Sequence, residues 1–164
     1  MNDARRAGSN ATPRDVVTPG ATGYNRSPSI VAQNSKMVSI NTCISVDLTG
    51  QVASESIGPN QYSGTGGQSD TATGAVAGSD GLGKSIIACY STAKNGTVST
   101  IVPMLPEGSA VTLHRSLVDH VVTENGIARL RGRTVRERAR ELIAIAKPEF
   151  REELTSKAKA LGYL

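Results

Sequence analysis

Val38-Ser-Ile-Asn-Thr-Cys-Ile-Ser-Val-Asp-Leu48 decides how this chain is read. Its even positions hold Val, Ile, Thr, Ile, Val and Leu, and its odd positions hold Ser39, Asn41, Cys43, Ser45 and Asp47. Strand side chains point alternately to opposite faces, so the pattern predicts one strand with an apolar and a polar side. Gly50 ends or turns that strand, and residues 51–57 are expected to return as a second one.

Further along, Gly58-Pro-Asn-Gln-Tyr-Ser-Gly-Thr-Gly-Gly-Gln-Ser-Asp70 has little to bury and reads as a surface loop. Small residues over 71–77 suggest one or two helical turns, and β-branched residues over 85–90 a strand. Asn95-Gly96 before residues 97–102 has the form of a hairpin turn, and 109–113 and 117–123 read as two more strands. Thr134-Val-Arg-Glu137 has the form of a capping box. Val135, Ala139, Leu142, Ile143 and Ala146 then fall on one helical stripe. Pro148 stops that helix and starts another, whose stripe is Phe150, Leu154, Ala158 and Leu161, ending at Gly162. Strands among helices define an α/β domain over residues 29–164. Residues 1–28, rich in Asn, Arg, Ser, Thr and Pro with Val16–Val17 as one weak apolar pair, read as a disordered or loosely attached arm.

A chain of 164 residues suits one ordinary domain. No window approaches 18 apolar residues, so no membrane association is expected, and with no secretory signal the expected compartment is the cytoplasm. Cys43 and Cys89 read as small buried hydrophobes. His114 and His120 lack partners at ligand spacing, so no metal is expected. The charge is uneven: ten Lys and Arg against five Asp and Glu over residues 129–164, eight against nine before them. The basic residues lie off the helical stripes, which makes them solvated helix surface rather than a nucleic-acid footprint.

Gly78-Ser-Asp-Gly-Leu-Gly-Lys-Ser85 fits the phosphate-loop pattern G-x-x-x-x-G-K-S/T. That loop works between a strand and a helix, where backbone N–H groups surround the phosphates. Here a strand pattern follows Ser85, so a nucleotide binder is only an alternative reading. No G-x-S-x-G elbow occurs. Gly64-Thr-Gly-Gly-Gln68 is the other candidate, because paired glycines let backbone N–H groups approach developing negative charge.

Many ordered segments resemble the acetyl-CoA hydrolase/transferase family, nearest its 4-hydroxybutyrate and butyryl-CoA:acetate CoA-transferase branch. They include Ile30-Val-Ala-Gln-Asn-Ser-Lys-Met-Val-Ser-Ile-Asn41, Val46-Asp-Leu-Thr-Gly-Gln51, Glu55-Ser-Ile-Gly58 and Gln61-Tyr-Ser-Gly-Thr-Gly-Gly-Gln68. Ser91-Thr-Ala-Lys-Asn-Gly96, Val121-Val-Thr-Glu-Asn-Gly-Ile-Ala128 and Pro148-Glu-Phe-Arg-Glu-Glu-Leu154 continue it. The resemblance implies a CoA-transferase-like mixed sheet with flanking helices and two C-terminal helices. It also implies transfer of coenzyme A between an acyl-CoA and a small carboxylate through a glutamyl-CoA thioester. By that resemblance Gly64, Gly66, Gly67 and Gln68 hold coenzyme A, Gly66 and Gly67 stabilise the oxyanion, and Lys94 contacts coenzyme A. Ile44 lines the pantetheine path unless it packs in the core, and Glu124 is an accessory carboxylate.

The family's nucleophilic glutamate lies upstream, in a Gly-x-His-(Ser/Thr)-Glu-Met type segment that this sequence does not contain. Glu55 and Glu124 match other positions, and the family's Asn-Asn-Pro reads Arg26-Ser-Pro28. The expectation is therefore the C-terminal domain of a CoA-transferase as a separate or truncated chain, weak or inactive alone. An exposed sheet edge would favour a homo-oligomer or a complementing subunit with the N-terminal domain. A non-catalytic binding or interaction remnant of the fold is the alternative.

Overall fold

The alternation over Val38–Leu48 does not run as one strand. It breaks at Thr42-Cys-Ile44 into β1 (Val38–Asn41) and β2 (Ser45–Asp47), which join different sheets. The structure, a computed structural model, describes residues 26–164; the expected N-terminal arm lies outside them except for its last three residues. In β1 the faces are also the reverse of the expectation. Ser39 is buried, while Val38 and Ile40 are 47% and 65% exposed. The polar side suits the interior because it is hydrogen-bonded there: Ser39 Oγ donates to Thr71 Oγ1 at 3.0 Å and accepts from Asn41 Nδ2 at 3.0 Å. In β2 all three residues are buried.

The main sheet has the order β1, β6 (Lys84–Ala88), β10 (His120–Thr123), β11 (Gly126–Arg129). β1, β6 and β10 run parallel, and β11 returns antiparallel from β10. The crossover from β1 to β6 carries α2 (Gln68–Ala77), a ten-residue helix that replaces the one or two turns expected. Ahead of β1 stands a single turn, α1 (Pro28–Val31), packed closely on α2. The approach depends on Gly74, where a Cβ would come within 2.4 Å of Val31 Cβ.

A smaller sheet sets β2 between β3 (Val52–Ala53) and β9 (Ile101–Val102). Two hairpins complete the strands: β4 (Ser56–Ile57) with β5 (Asn60–Gln61), and β7 (Thr92–Ala93) with β8 (Val98–Ser99). The strand expected over 109–113 is represented by one bridge, Leu113 to Val52. The strand expected over 117–123 is shortened to β10 by the 3-10 turn at Arg115–Leu117. Short non-local pairings of this kind leave too few alternating residues to mark a strand.

The C-terminal helices follow their local signals. In α3 (Val135–Ile145) Thr134 Oγ1 accepts from Glu137 N at 3.3 Å, and Thr134 N donates to Glu137 Oε2 at 2.8 Å. α4 (Pro148–Ala160) starts at its proline, and Gly162 follows with φ 72°. Both α2 and α3 pack on the same face of the main sheet, and Ile87, Val121 and Ala128 of that face join Leu142 of α3 and Leu48, Val46 and Val52 in one apolar cluster.

The amino ends of β6 and β10 are tied together by Asp119, whose carboxylate is 3% exposed. Asp119 Oδ2 accepts from Ser85 N at 2.8 Å and Oδ1 from Arg131 Nη1 at 3.2 Å. Leu130 N donates to the Asp119 carbonyl at 2.8 Å. The opposite ends of the same strands are left to the site.

Candidate functional site

In an open parallel sheet, ligands bind beyond the carboxyl ends of the strands. Thr42 and Cys43 follow β1, Cys89 and Ser91 follow β6, and Glu124 follows β10, so the three adjacent strands deliver them to one edge. Glu124 is exposed but oriented. Ser91 Oγ donates to Glu124 Oε1 in a short hydrogen bond, and Ser91 N donates to Oε2 at 2.9 Å. The Ser91 hydroxyl holds the carboxyl below its ordinary value; partial burial opposes this and the Ser91 N–H adds to it. Asn125 Nδ2 completes the group by donating to Ser91 Oγ at 3.1 Å.

The Gly-rich loop reaches this edge through α2. Gln68 is buried and its Nε2 donates to the Thr42 carbonyl at 3.4 Å, tying the start of α2 to the end of β1. Gly67 is the N-cap and has no side chain to occupy the first-turn amides. At Gly64 and Gly66 a Cβ would meet nothing within 4 Å, so the loop borders open space there. Gly67 is different: a Cβ would lie 2.6 Å from Arg26 Cδ, so the arginine of the divergent Arg26-Ser-Pro28 lies against the loop. The loop is held from below by Glu55, 8% exposed, whose Oε1 accepts from Gln61 Nε2 at 3.1 Å and Thr65 Oγ1 at 3.3 Å. Among the described residues Glu55 Oε2 has no partner.

Lys94 sits at the tip of the β7–β8 hairpin that Ser91 leads into, exposed and with φ 48°. Asn95 has φ 55°, so Lys94-Asn95 are the central pair of the turn closed by Gly96 N to the Ala93 carbonyl at 3.1 Å. The turn therefore falls one residue earlier than Asn-Gly suggested. Ile44 is half-buried in the β1–β2 link rather than on a strand. Its N–H donates to the Ala53 carbonyl at 2.9 Å. Cys43 and Cys89 form no disulfide. The neighbouring Cys89 thiol and burial push the Cys43 thiol well up, while the Cys43 thiol holds Cys89 lower.

Sequence reasoning named Glu124 and the glycines and missed Ser91 and Glu55. Ser91 is 33 residues from the carboxylate it holds, and no local pattern announces such a pair. Glu55 carried a weak signal, a carboxylate shortly before a glycine-rich loop.

The phosphate-loop match is not a phosphate loop. α2 precedes it and β6 follows it, the reverse of the order that chemistry needs. The loop is closed on itself: Asp80 Oδ2 accepts from Lys36 N at 2.6 Å and Oδ1 from Leu82 N at 2.9 Å. Lys84 Nζ donates to the Leu82 and Gly83 carbonyls, each at 3.3 Å. At Gly83 a Cβ would stand 1.8 Å from the Ala75 carbonyl oxygen, so the glycine serves helix-to-strand packing.

An α/β sheet whose parallel strands bring an oriented glutamate and a glycine-capped helix to one edge is the architecture of a ligand-binding domain. The sequence matches the family model for the acetyl-CoA hydrolase/transferase C-terminal domain over residues 10–158, and the chain belongs to that family. It is 54% identical over 136 residues to the 4-hydroxybutyrate coenzyme A transferase of Clostridium kluyveri, covering 83% of this chain and 31% of that one. It is 50% identical over 153 residues to the succinyl-CoA:cyclohexane-1-carboxylate CoA transferase of Geobacter metallireducens, covering 93% and 34%. The crystal structure of RipA from Yersinia pestis superposes with a TM-score of 0.78 at 44% identity, over 86% of this chain and 31% of that chain. The 4-hydroxybutyrate CoA-transferase of Porphyromonas gingivalis gives 0.65 at 41%, over 84% and 30%. The chain thus spans about a third of the length of these relatives. Among the described residues no helix is long and apolar enough to cross a membrane.

Proposed function

We propose that this chain is the coenzyme A-holding part of a CoA-transferase, completed by the portion of the enzyme that carries the nucleophilic glutamate. The observation that supports it best is the convergence, at the carboxyl edge of β1, β6 and β10, of Glu124 held by Ser91 with the glycine-capped start of α2. Amides of Gly66, Gly67 and the first turn of α2 are suited to the negative charge that gathers on a thioester carbonyl oxygen under attack. The attacking carboxylate adds to that carbonyl and expels the coenzyme A thiolate, leaving a mixed anhydride. The thiolate then attacks the anhydride at the glutamyl carbonyl, releasing the first carboxylate and leaving a glutamyl-CoA thioester for the second acid. Glu124, kept ionised by Ser91, orders the reacting groups from the side without joining the covalent sequence. Lys94 supplies a cation to coenzyme A, and Ile44 and Gln68 border the approach.

Calorimetric titration of the purified chain with coenzyme A and with acetyl-CoA tests this. Saturable binding is expected, weakened about tenfold by Lys94→Ala, the worth of one charge-assisted hydrogen bond. Absence of heat at millimolar ligand, or equal binding by wild type and Lys94→Ala, would remove the half-site assignment.

A further inference from the structure

Neither cysteine is the fully buried hydrophobe that its sequence surroundings suggest. Both are half-buried, and they follow the carboxyl ends of two neighbouring strands. The parallel pairing of β1 with β6 runs from Val38 beside Lys84 to Asn41 beside Ile87. Two further steps in the same register set Cys43 beside Cys89. Parallel neighbours lie about 4.8 Å apart with paired side chains on one face, and bridged cysteines usually have Cα atoms about 4.4–6.8 Å apart. The thiols shift each other's ionisation, so the two chains stay side by side past the last rung of the ladder. The backbone is held on both sides of the pair: Cys89 N donates to the Val122 carbonyl at 3.0 Å, and Ile44 N to the Ala53 carbonyl at 2.9 Å.

We propose that Cys43 and Cys89 are a redox-active dithiol that takes low-molecular-weight disulfides, Cys89 attacking and Cys43 resolving. In such exchange the thiolate is the nucleophile. The Cys43 thiol, and after it the Thr100 hydroxyl, hold Cys89 below its ordinary value against burial and the Glu124 charge. The Cys89 thiol and burial push Cys43 well up. Thr42 and Tyr90 beside the pair are exposed, Tyr90 to 79%, which opens a way in from solvent. The Cys89 thiolate attacks one sulfur of the small disulfide, forms a mixed disulfide and expels the other half as a thiolate. Cys43 gives its proton to that thiolate and attacks the Cys89 sulfur. The bond to the second half breaks, and that half leaves as a thiolate that takes up the proton Cys89 had lost. Two electrons pass from the protein to the small molecule, which ends as two thiols. The new bond joins the segment whose Thr42 carbonyl receives Gln68 Nε2 to the segment that leads into Ser91 and Glu124.

The test incubates the reduced, purified chain with glutathione disulfide and, separately, with coenzyme A disulfide, and reads free thiols, intact mass and linked peptides. Wild type is expected to lose both thiols together, with two hydrogens lost in mass and a peptide linking Cys43 to Cys89. Denatured in urea, the chain is expected to close that bond about tenfold more slowly or worse, because the strands no longer hold the thiols together. Cys43→Ser is expected to stop at a mixed disulfide on Cys89, and Cys89→Ser to react about tenfold more slowly than wild type. Circular dichroism checks the fold of each variant, and the wild-type comparison with urea decides the question if a variant fails to fold. Coenzyme A disulfide reacting about tenfold faster than glutathione disulfide assigns the pair to coenzyme A bound at this edge. Equal rates assign it to small disulfides in general. Wild type that keeps both thiols, carries a separate adduct on each cysteine, bridges two chains, or closes no faster than in urea overturns the dithiol. An adduct on Cys43 in Cys89→Ser with none on Cys89 in Cys43→Ser overturns the assigned roles.

Discussion

Gly83→Ala separates a packing glycine from a phosphate-binding one. Gly83 is buried between the end of α2 and the start of β6. A Cβ there would sit 1.8 Å from the Ala75 carbonyl oxygen, 2.8 Å from its carbon and 3.3 Å from the Met37 carbonyl oxygen. The closest of these must retreat to at least 3.0 Å, and each obstacle is backbone, so no rotamer change relieves it. Overpacking costs about 1–3 kcal/mol, and rigid backbone puts this site at the upper end. Alanine also restricts the unfolded chain, which offsets about 0.4–1 kcal/mol. The net loss is about 2 kcal/mol, or roughly 6 °C in Tm for a domain of this size. Urea titration followed by far-ultraviolet circular dichroism reads it directly. Gly64→Ala is the companion, since a Cβ there meets nothing, and it should stay within about 0.5 kcal/mol of wild type. If Gly83→Ala were as stable as Gly64→Ala, the close approach of α2 to β6 would be wrong. If it instead kept its stability and lost affinity for a nucleotide, the phosphate-loop reading would return.

Asp47 is 2% exposed and its carboxylate accepts from Thr49 N, Thr49 Oγ1, Gln51 N and Gln51 Nε2. Asp47→Ala leaves these donors without their partner and should cost about 3 kcal/mol in the same titration; a change below about 1 kcal/mol would show that water replaces the carboxylate freely. Glu124 has its folded value held down, chiefly by the Ser91 hydroxyl, from an ordinary 4.5. Its stabilising contribution is therefore complete above the unfolded value and disappears as pH falls through the lower folded one. The stability advantage of wild type over Glu124→Gln should be constant across neutral pH and shrink below about pH 4.5. An advantage that persists unchanged at pH 2 would mean Ser91 does not favour the ionised form.

What the sequence disclosed was whatever depends on near neighbours. The capping box at Thr134 and Glu137, the proline start of α4 and the glycine after it are each decided within four residues, and all were legible. The β7–β8 hairpin was legible too, although its turn centres on Lys94 and Asn95. The strand over Val38–Leu48 misled because alternation reports two faces without saying which is inside. Ser39 lies inward because Thr71, 32 residues away, offers it a hydroxyl. For the same reason Glu124 and the glycines could be named from motifs, while the serine that orients the one and the buried glutamate that supports the others could not.

The clamp at Asp119 fixes where Glu124 can stand. β10 is fastened at its start through Ser85, Leu130 and Arg131 and presents Glu124 just past its end. Over the few residues between, an extended strand advances about 3.3 Å per residue and compresses little, so the carboxylate inherits its place along the strand axis from the far edge. Substitutions around Glu124 can tilt or retune that group. Moving it along the strand calls for changes at residues 85, 119 and 130, at the opposite end of the sheet from the carboxylate.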